Sequence, residues 1–97
     1  MTIVVIAKYR VAEGRDDEVA AVLREYIPLT RAEPGCELFA AHRSRDDPHV
    51  FVLYERYRDP AALDAHRASE HFASVAQARI WPMLESREVT ICDPLEP

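Results

Sequence analysis

The run Val50-Phe51-Val52-Leu53-Tyr54-Glu55-Arg56-Tyr57-Arg58-Asp59-Pro60 decides the fold, because a strand and the start of a helix lie back to back within it. Val50 to Tyr57 is rich in β-branched and aromatic residues, with Val50, Val52 and Tyr54 on one face and Phe51, Leu53 and Tyr57 on the other. Both faces are apolar, so this strand calls for cover on two sides. Asp59-Pro60 then opens a helix. An Asp oxygen at the cap accepts from the first free N–H groups, and Pro at the first helical position forfeits an N–H that has no helical partner.

Upstream, Arg45-Asp46-Asp47-Pro48-His49 has turn chemistry and joins this strand as a hairpin to Cys36–Arg43, where Leu38, Ala40 and His42 share one face and Phe39 and Ala41 the other. Glu33-Pro34-Gly35 stops a helix over Arg15 to Ala32, whose Val19, Val22, Leu23, Tyr26 and Ile27 form an amphipathic stripe. Asp16, Asp17 and Glu18 in its first turn and Arg31 near its end suit the helix dipole, and Pro28 is expected to kink the last turn. Thr2 to Val11 is a first strand, apolar without a break from Ile3 to Ala7.

Downstream, the helix from Pro60 is short, ending near Arg67, and Ser69 caps a further helix bearing Phe72, Val75, Ala76 and Ile80 that ends around Trp81-Pro82. Ser86–Cys92 is a fourth strand, and Asp93 to Pro97 reads as a tail. The order β-α-β-β-α-β, with its second helix split, predicts one α+β domain over residues 1–97, a ferredoxin-like plait with an antiparallel sheet. In that plait the helices cover only one face of the sheet. Since strands one and three are apolar on both sides, the expected cover for the other face is a second copy of the chain, giving a homodimer with a barrel-like interface.

Composition narrows the function. Of 97 residues 48% are hydrophobic and 30% charged, a balance that folds, and the formal charge of -5 disfavours the basic surface that nucleic acid requires. No apolar run approaches the roughly 20 residues of a membrane helix, and no cleavable leader follows Met1, so a cytoplasmic protein is expected, without a membrane partner. Cys36 and Cys92 lack the spacing of zinc or redox motifs and read as reduced structural thiols. With Gly14 and Gly35 as the only glycines there is no phosphate loop, and nucleotide or flavin binding is unsupported.

The chemistry-bearing residues cluster after strand three. His66 lies three and four positions beyond Leu63 and Ala62, which puts it on their helix face, toward the sheet. The helix C-terminus favours its imidazolium and apolar surroundings its neutral ring, a balance that suits a proton acceptor; a buried histidine bonded to a backbone carbonyl is the plainer alternative. His71 falls just inside the next helix, as a hydrogen-bond partner, a gate to the cleft or a surface cap. The two histidines are five apart rather than the i, i+4 of a helical metal pair, and no carboxylate at recognisable spacing completes a site, so no metal is expected. Tyr9, Phe39, Tyr54, Tyr57, Phe72 and Trp81 are enough aromatic surface to wall a pocket for a flat ring, or to serve as plain core. Glu55, the carboxylate most readily buried, is expected to pair with Arg43 or Arg56.

Glu33-Pro34-Gly35-Cys36, Ser44-Arg45-Asp46-Asp47-Pro48, Val52 to Asp59, and Leu63-Asp64-Ala65-His66-Arg67-Ala68-Ser69-Glu70-His71-Phe72 resemble, in order and spacing, the antibiotic biosynthesis monooxygenase family of dimeric α+β barrels. The resemblance spans nearly the whole chain. It implies a homodimer and, for the monooxygenase branch, work without cofactor on a small quinol-like or polyketide aromatic and O2. In that reading His66 is the base or anion stabiliser and Tyr54 a hydrogen-bond donor, while Tyr9, Phe39, His71, Phe72 and Trp81 bind substrate. The same pocket also suits an isomerase that only moves a proton, or a ligand-binding protein with structural histidines. For the heme-degrading branch, the family's Asn, Trp and His roles fall by spacing on Tyr9, His66 and Ala76, which removes the iron ligand unless His66 or His71 takes its place.

Overall fold

A computed structural model describes residues 1–96. The elements are β1 (Ile3–Val11), α1 (Asp16–Arg31), β2 (Cys36–Arg43), β3 (Val50–Tyr57), α2 (Pro60–Arg67), α3 (Phe72–Ile80) and β4 (Leu84–Cys92), with a 3₁₀ turn at Trp81–Met83. The strands form one antiparallel sheet in the order β2-β3-β1-β4, the ferredoxin-like arrangement. The fourth strand starts two residues earlier than the sequence suggests, because Val11 pairs with Leu84 across a bulge. Pro28 lies inside α1, which continues past it to Arg31.

The register decides which side chains meet the helices. Ile3, Val5, Ala7 and Tyr9 of β1 stand opposite Tyr57, Glu55, Leu53 and Phe51 of β3, and Phe39 and Ala41 of β2 stand opposite Glu55 and Leu53. This face packs against Val19, Val22, Leu23 and Tyr26 of α1 and Val75, Ala76 and Ile80 of α3. Ile3, Val5 and Tyr57 form a second cluster with Ala62 and Leu63 of α2. The opposite face carries Val4, Ile6, Ala40, Val52 and Tyr54, interrupted by Lys8, His42 and Arg56. Ile6 and Leu38 on that face are 38% and 39% exposed.

Two junctions place the site. Asp59 accepts from the Ala62 N–H at 2.8 Å and Pro60 occupies the first turn, so α2 begins where its sequence demands. Gly35 sits against this helix so closely that a Cβ there would lie 2.4 Å from the Ala62 Cβ. Ser69 then breaks the chain after α2: its hydroxyl donates to the His66 carbonyl at 2.7 Å and accepts the Phe72 N–H at 3.2 Å. Beyond it α3 is a π-helix, and the Trp81 N–H closes it on the Ala76 carbonyl five residues back. No helix among the described residues is long and apolar enough to cross a membrane.

Candidate active site around His66

His66 is 3% exposed and lies at the centre of the polar core. Its Nδ1 is 2.8 Å from the Glu33 Oε2 and its Nε2 3.3 Å from the Tyr26 hydroxyl. Glu33 comes from the turn after α1, where its carbonyl accepts the Cys36 N–H at 3.1 Å. The same Oε2 lies 2.5 Å from the His71 Nε2. With Glu33 a carboxylate, it accepts an N–H from each ring, which leaves His66 protonated on Nδ1 and its Nε2 lone pair free to accept from Tyr26.

Burial lowers the His66 pKa, and the Glu33 hydrogen bond and charge oppose that shift without cancelling it. The sequence sets burial against the helix end; in the structure the carboxylate of Glu33 opposes burial. Aromatic rings fix the imidazole from the sides. Tyr57 is 5.1 Å away, centroid to centroid, and Phe72 meets it edge-on at 5.2 Å. Phe72 in turn stands edge-on to Trp81 at 5.6 Å.

Beside His66 a cavity of about 40 Å³, room for a few water molecules, is lined by Tyr9, Tyr26, Phe39, Leu53, Glu55 and Phe72, with Trp81, Arg67 and Arg87 at its mouth. The Arg87 guanidinium covers the Trp81 ring at 3.8 Å. Of the residues expected from sequence, Tyr9, Phe39, His66, Phe72 and Trp81 converge on this cavity, and His71 joins through Glu33. Tyr54 does not. It points from the opposite face of the sheet, where its hydroxyl accepts from Arg56 at 3.1 Å, so the alternation of β3 removes it from the His66 site.

Glu55 takes the place on β3 that Tyr54 was expected to fill, facing the cavity. Its partner is the Tyr57 hydroxyl, which donates to Oε1 at 2.6 Å, rather than Arg43 or Arg56. Burial raises the Glu55 carboxyl to about 7, against the Tyr57 hydrogen bond, and burial likewise raises the Tyr9 phenol to about 12 and pushes Tyr26 and Tyr57 up strongly. Glu33 and Tyr26 were missed in the sequence as site residues. Tyr26 carried only the signal of a core stripe, and Glu33 the signal of a helix stop.

Heme does not fit these residues. Ala76, in the cavity wall, has no atom that could ligate iron, and the cavity is far smaller than a porphyrin.

Comparison with known proteins agrees with this architecture. The antibiotic biosynthesis monooxygenase family profile matches residues 2–78. The Rv0793 protein of Mycobacterium tuberculosis is 35% identical over 95 residues, spanning 97% of this chain and 92% of that one. Its structure superposes with a TM-score of 0.92 at 34% identity, covering 100% and 98% of the two chains. PA3566 of Pseudomonas aeruginosa gives 0.91 at 29% identity, covering 98% and 95%. A crystal structure described as an antibiotic biosynthesis monooxygenase gives 0.90 at 32% identity, covering 97% and 99%. A profile match over most of the chain, joined to the same strand order and helix placement, makes this protein a member of the antibiotic biosynthesis monooxygenase family.

Proposed function

We propose that the protein is a cofactor-independent monooxygenase that oxidises a small quinol-like or hydroxylated polyketide aromatic with O2, working as a homodimer. The observation that carries this reading is the Glu33–His66 pair, with its unprotonated Nε2 accepting from the Tyr26 hydroxyl in the wall of an aromatic cavity. A substrate hydroxyl at the cavity mouth passes its proton through the Tyr26 hydroxyl to Nε2, and Glu33 holds the resulting imidazolium. Because burial keeps Tyr26 a phenol, it relays the proton and does not compete as an anion. Arg67 and Arg87 at the mouth favour the substrate anion.

The electron-rich anion then reduces O2 itself. For a hydroquinone with a free ring C–H, one oxygen atom enters the ring, the other leaves as water, and the product is the hydroxylated quinone. All four electrons come from the substrate, so no external reductant is needed. The cavity has room for only a few water molecules, so the ring of the substrate sits against Phe72, Trp81 and Arg87 with its hydroxyl directed inward. The family membership and the monooxygenase name of a solved relative support the same reaction class.

The test is oxygen uptake with a panel of hydroquinones and hydroxylated polycyclic aromatics. Uptake with at least one of them, reduced on the order of a hundredfold or more in His66→Ala and partly restored by added imidazole, is the expected result. Failure of every compound to consume O2, equal rates in His66→Ala, or conversion of substrate under strict anaerobiosis would overturn the proposal.

A further inference from the structure

The Glu33, His66 and His71 side chains offer more than a hydrogen-bonded brace. Their ligand atoms, one carboxylate oxygen and one nitrogen from each ring, all lie within 4.8 Å of one another. In sequence the two histidines are five apart, a spacing that fails on a continuous helix. The break at Ser69 removes that objection. By holding the His66 carbonyl and the Phe72 N–H at once, it turns the chain so that the two rings come within 6.2 Å and face one carboxylate.

We propose that Glu33, His66 and His71 form a binding site for a divalent transition-metal ion, with zinc as the reference ion. Two imidazoles and one carboxylate are a recognised zinc ligand set that leaves a fourth position for water. The donors present already satisfy its second requirement. The His66 Nε2 has the Tyr26 hydroxyl as an outer partner that fixes the ring. To surround an ion at about 2.1 Å, the 2.8 Å and 2.5 Å separations between the Glu33 oxygen and the two nitrogens widen by less than about 1 Å, while the two nitrogens, within 4.8 Å of each other, settle to about 3.4 Å. His71 is only partly buried, which provides an entry route.

Metal binding has a chemical consequence that hydrogen bonding lacks. The ion displaces the proton from the His66 Nδ1, so the neutral ring must carry its proton on Nε2 and donate to Tyr26 where it previously accepted. On the reading given under Proposed function, that tautomer has no lone pair directed at the cavity, and the bound ion switches the base off.

The experiment is a titration of the metal-free, full-length protein with Zn2+ and with Co2+, followed by calorimetry, cobalt absorption and the 15N shifts of the histidine rings. One ion per chain with a micromolar or tighter Kd is expected, along with movement of the His66 proton from Nδ1 to Nε2. Glu33→Gln and His71→Ala should each weaken binding on the order of tenfold or more. His49→Ala, which removes the separate contact of His49 with Asp16, should leave it unchanged. No binding at 100 μM metal, or binding that survives both Glu33→Gln and His71→Ala, would overturn the site. These readouts need no substrate, so they separate the metal site from the proposed reaction; oxygen uptake with and without Zn2+ tests the switch alone.

Discussion

The Glu33 carboxylate reaches His66 Nδ1 at 2.8 Å from the far side of the chain, 33 residues away, and it is the only charged group hydrogen-bonded to that ring among the described residues. A carboxylate in that position sets the tautomer and stabilises the imidazolium. Glu33→Gln keeps the shape and removes the charge, and its amide can also present N–H to Nδ1 and invert the tautomer. With a substrate found in the oxygen-uptake panel, kcat is expected to fall on the order of tenfold to a hundredfold while KM changes little. A wild-type kcat in this variant would show that the pair is structural.

Tyr26 bonds to His66 from the opposite side, at 3.3 Å, and its ring also meets Phe39 edge-on at 5.6 Å. Tyr26→Phe keeps the ring packing and deletes only the hydroxyl. The expected loss of stability is about 1 kcal/mol, measured as a shift in the urea midpoint. If the hydroxyl relays the substrate proton, kcat should fall tenfold or more and the solvent isotope effect should change; an unaltered kcat would assign the transfer to His66 directly.

Glu55 makes stability depend on pH in a defined direction. Its carboxyl titrates near 7 when folded and near 4.5 when unfolded, so between those values the folded chain holds the extra proton. The stabilisation is therefore complete below about 4.5 and is lost as pH rises through about 7, a change on the order of 3 kcal/mol. Urea midpoints at pH 5 and pH 8 measure it. Glu55→Gln, neutral at both pH values, should flatten that part of the profile and lie above wild type at pH 8. A wild-type profile that is flat over this window would contradict the burial argument.

Gly35 tests how the Glu33 turn is seated. A Cβ at that position would stand 2.4 Å from the Ala62 Cβ, a distance that requires movement of the turn or of α2. Gly35→Ala is expected to cost about 1–3 kcal/mol by overpacking. Because Glu33 and His66 lie on the two segments pushed apart, the variant should also lose activity. Adding Ala62→Gly opens the space and should restore part of both, despite the helix propensity it sacrifices. Thermal melts of the single and double variants decide the matter, and absence of any rescue would place the strain elsewhere.

Much of this fold was legible in the sequence because its signals are local. Asp59-Pro60 marks a helix start wherever it packs, the stripe from Val19 to Ile27 has one possible buried side, and β3 matches its expected bounds of Val50 to Tyr57. The site was less legible because its bonds are long-range. Glu33 reads as a helix terminator until the plait carries it to His66, and the five-residue spacing of His66 and His71 argues against a shared ligand until the Ser69 turn is seen. Tyr54 and Glu55 show the sharpest limit: neighbours on one strand face opposite sides of the sheet, so choosing between them means knowing which face the helices cover.

The sheet face bearing Tyr54 is open to a second copy of the chain. Ile6 and Leu38 are more than a third exposed there, beside Ala40, Val52 and the Tyr54–Arg56 pair, and the helices pack on the other side of the sheet. Water against that surface costs stability that a second sheet would recover, at roughly 25 cal/mol for each Å² of apolar area covered. Arg56 and Lys8 interrupt the patch, so the covering surface must supply acceptors as well as apolar contact, and Glu88 and Thr90 of β4 on the same face can do so in a two-fold arrangement. Sedimentation at micromolar concentration should therefore give twice the 11.1 kDa chain mass. Ile6→Glu and Leu38→Asp, each placing a carboxylate where the apolar contact is expected, should shift the protein toward single chains while far-UV circular dichroism stays the same. A wild-type protein that sediments as one chain at these concentrations would leave the face open to solvent and refute the homodimer.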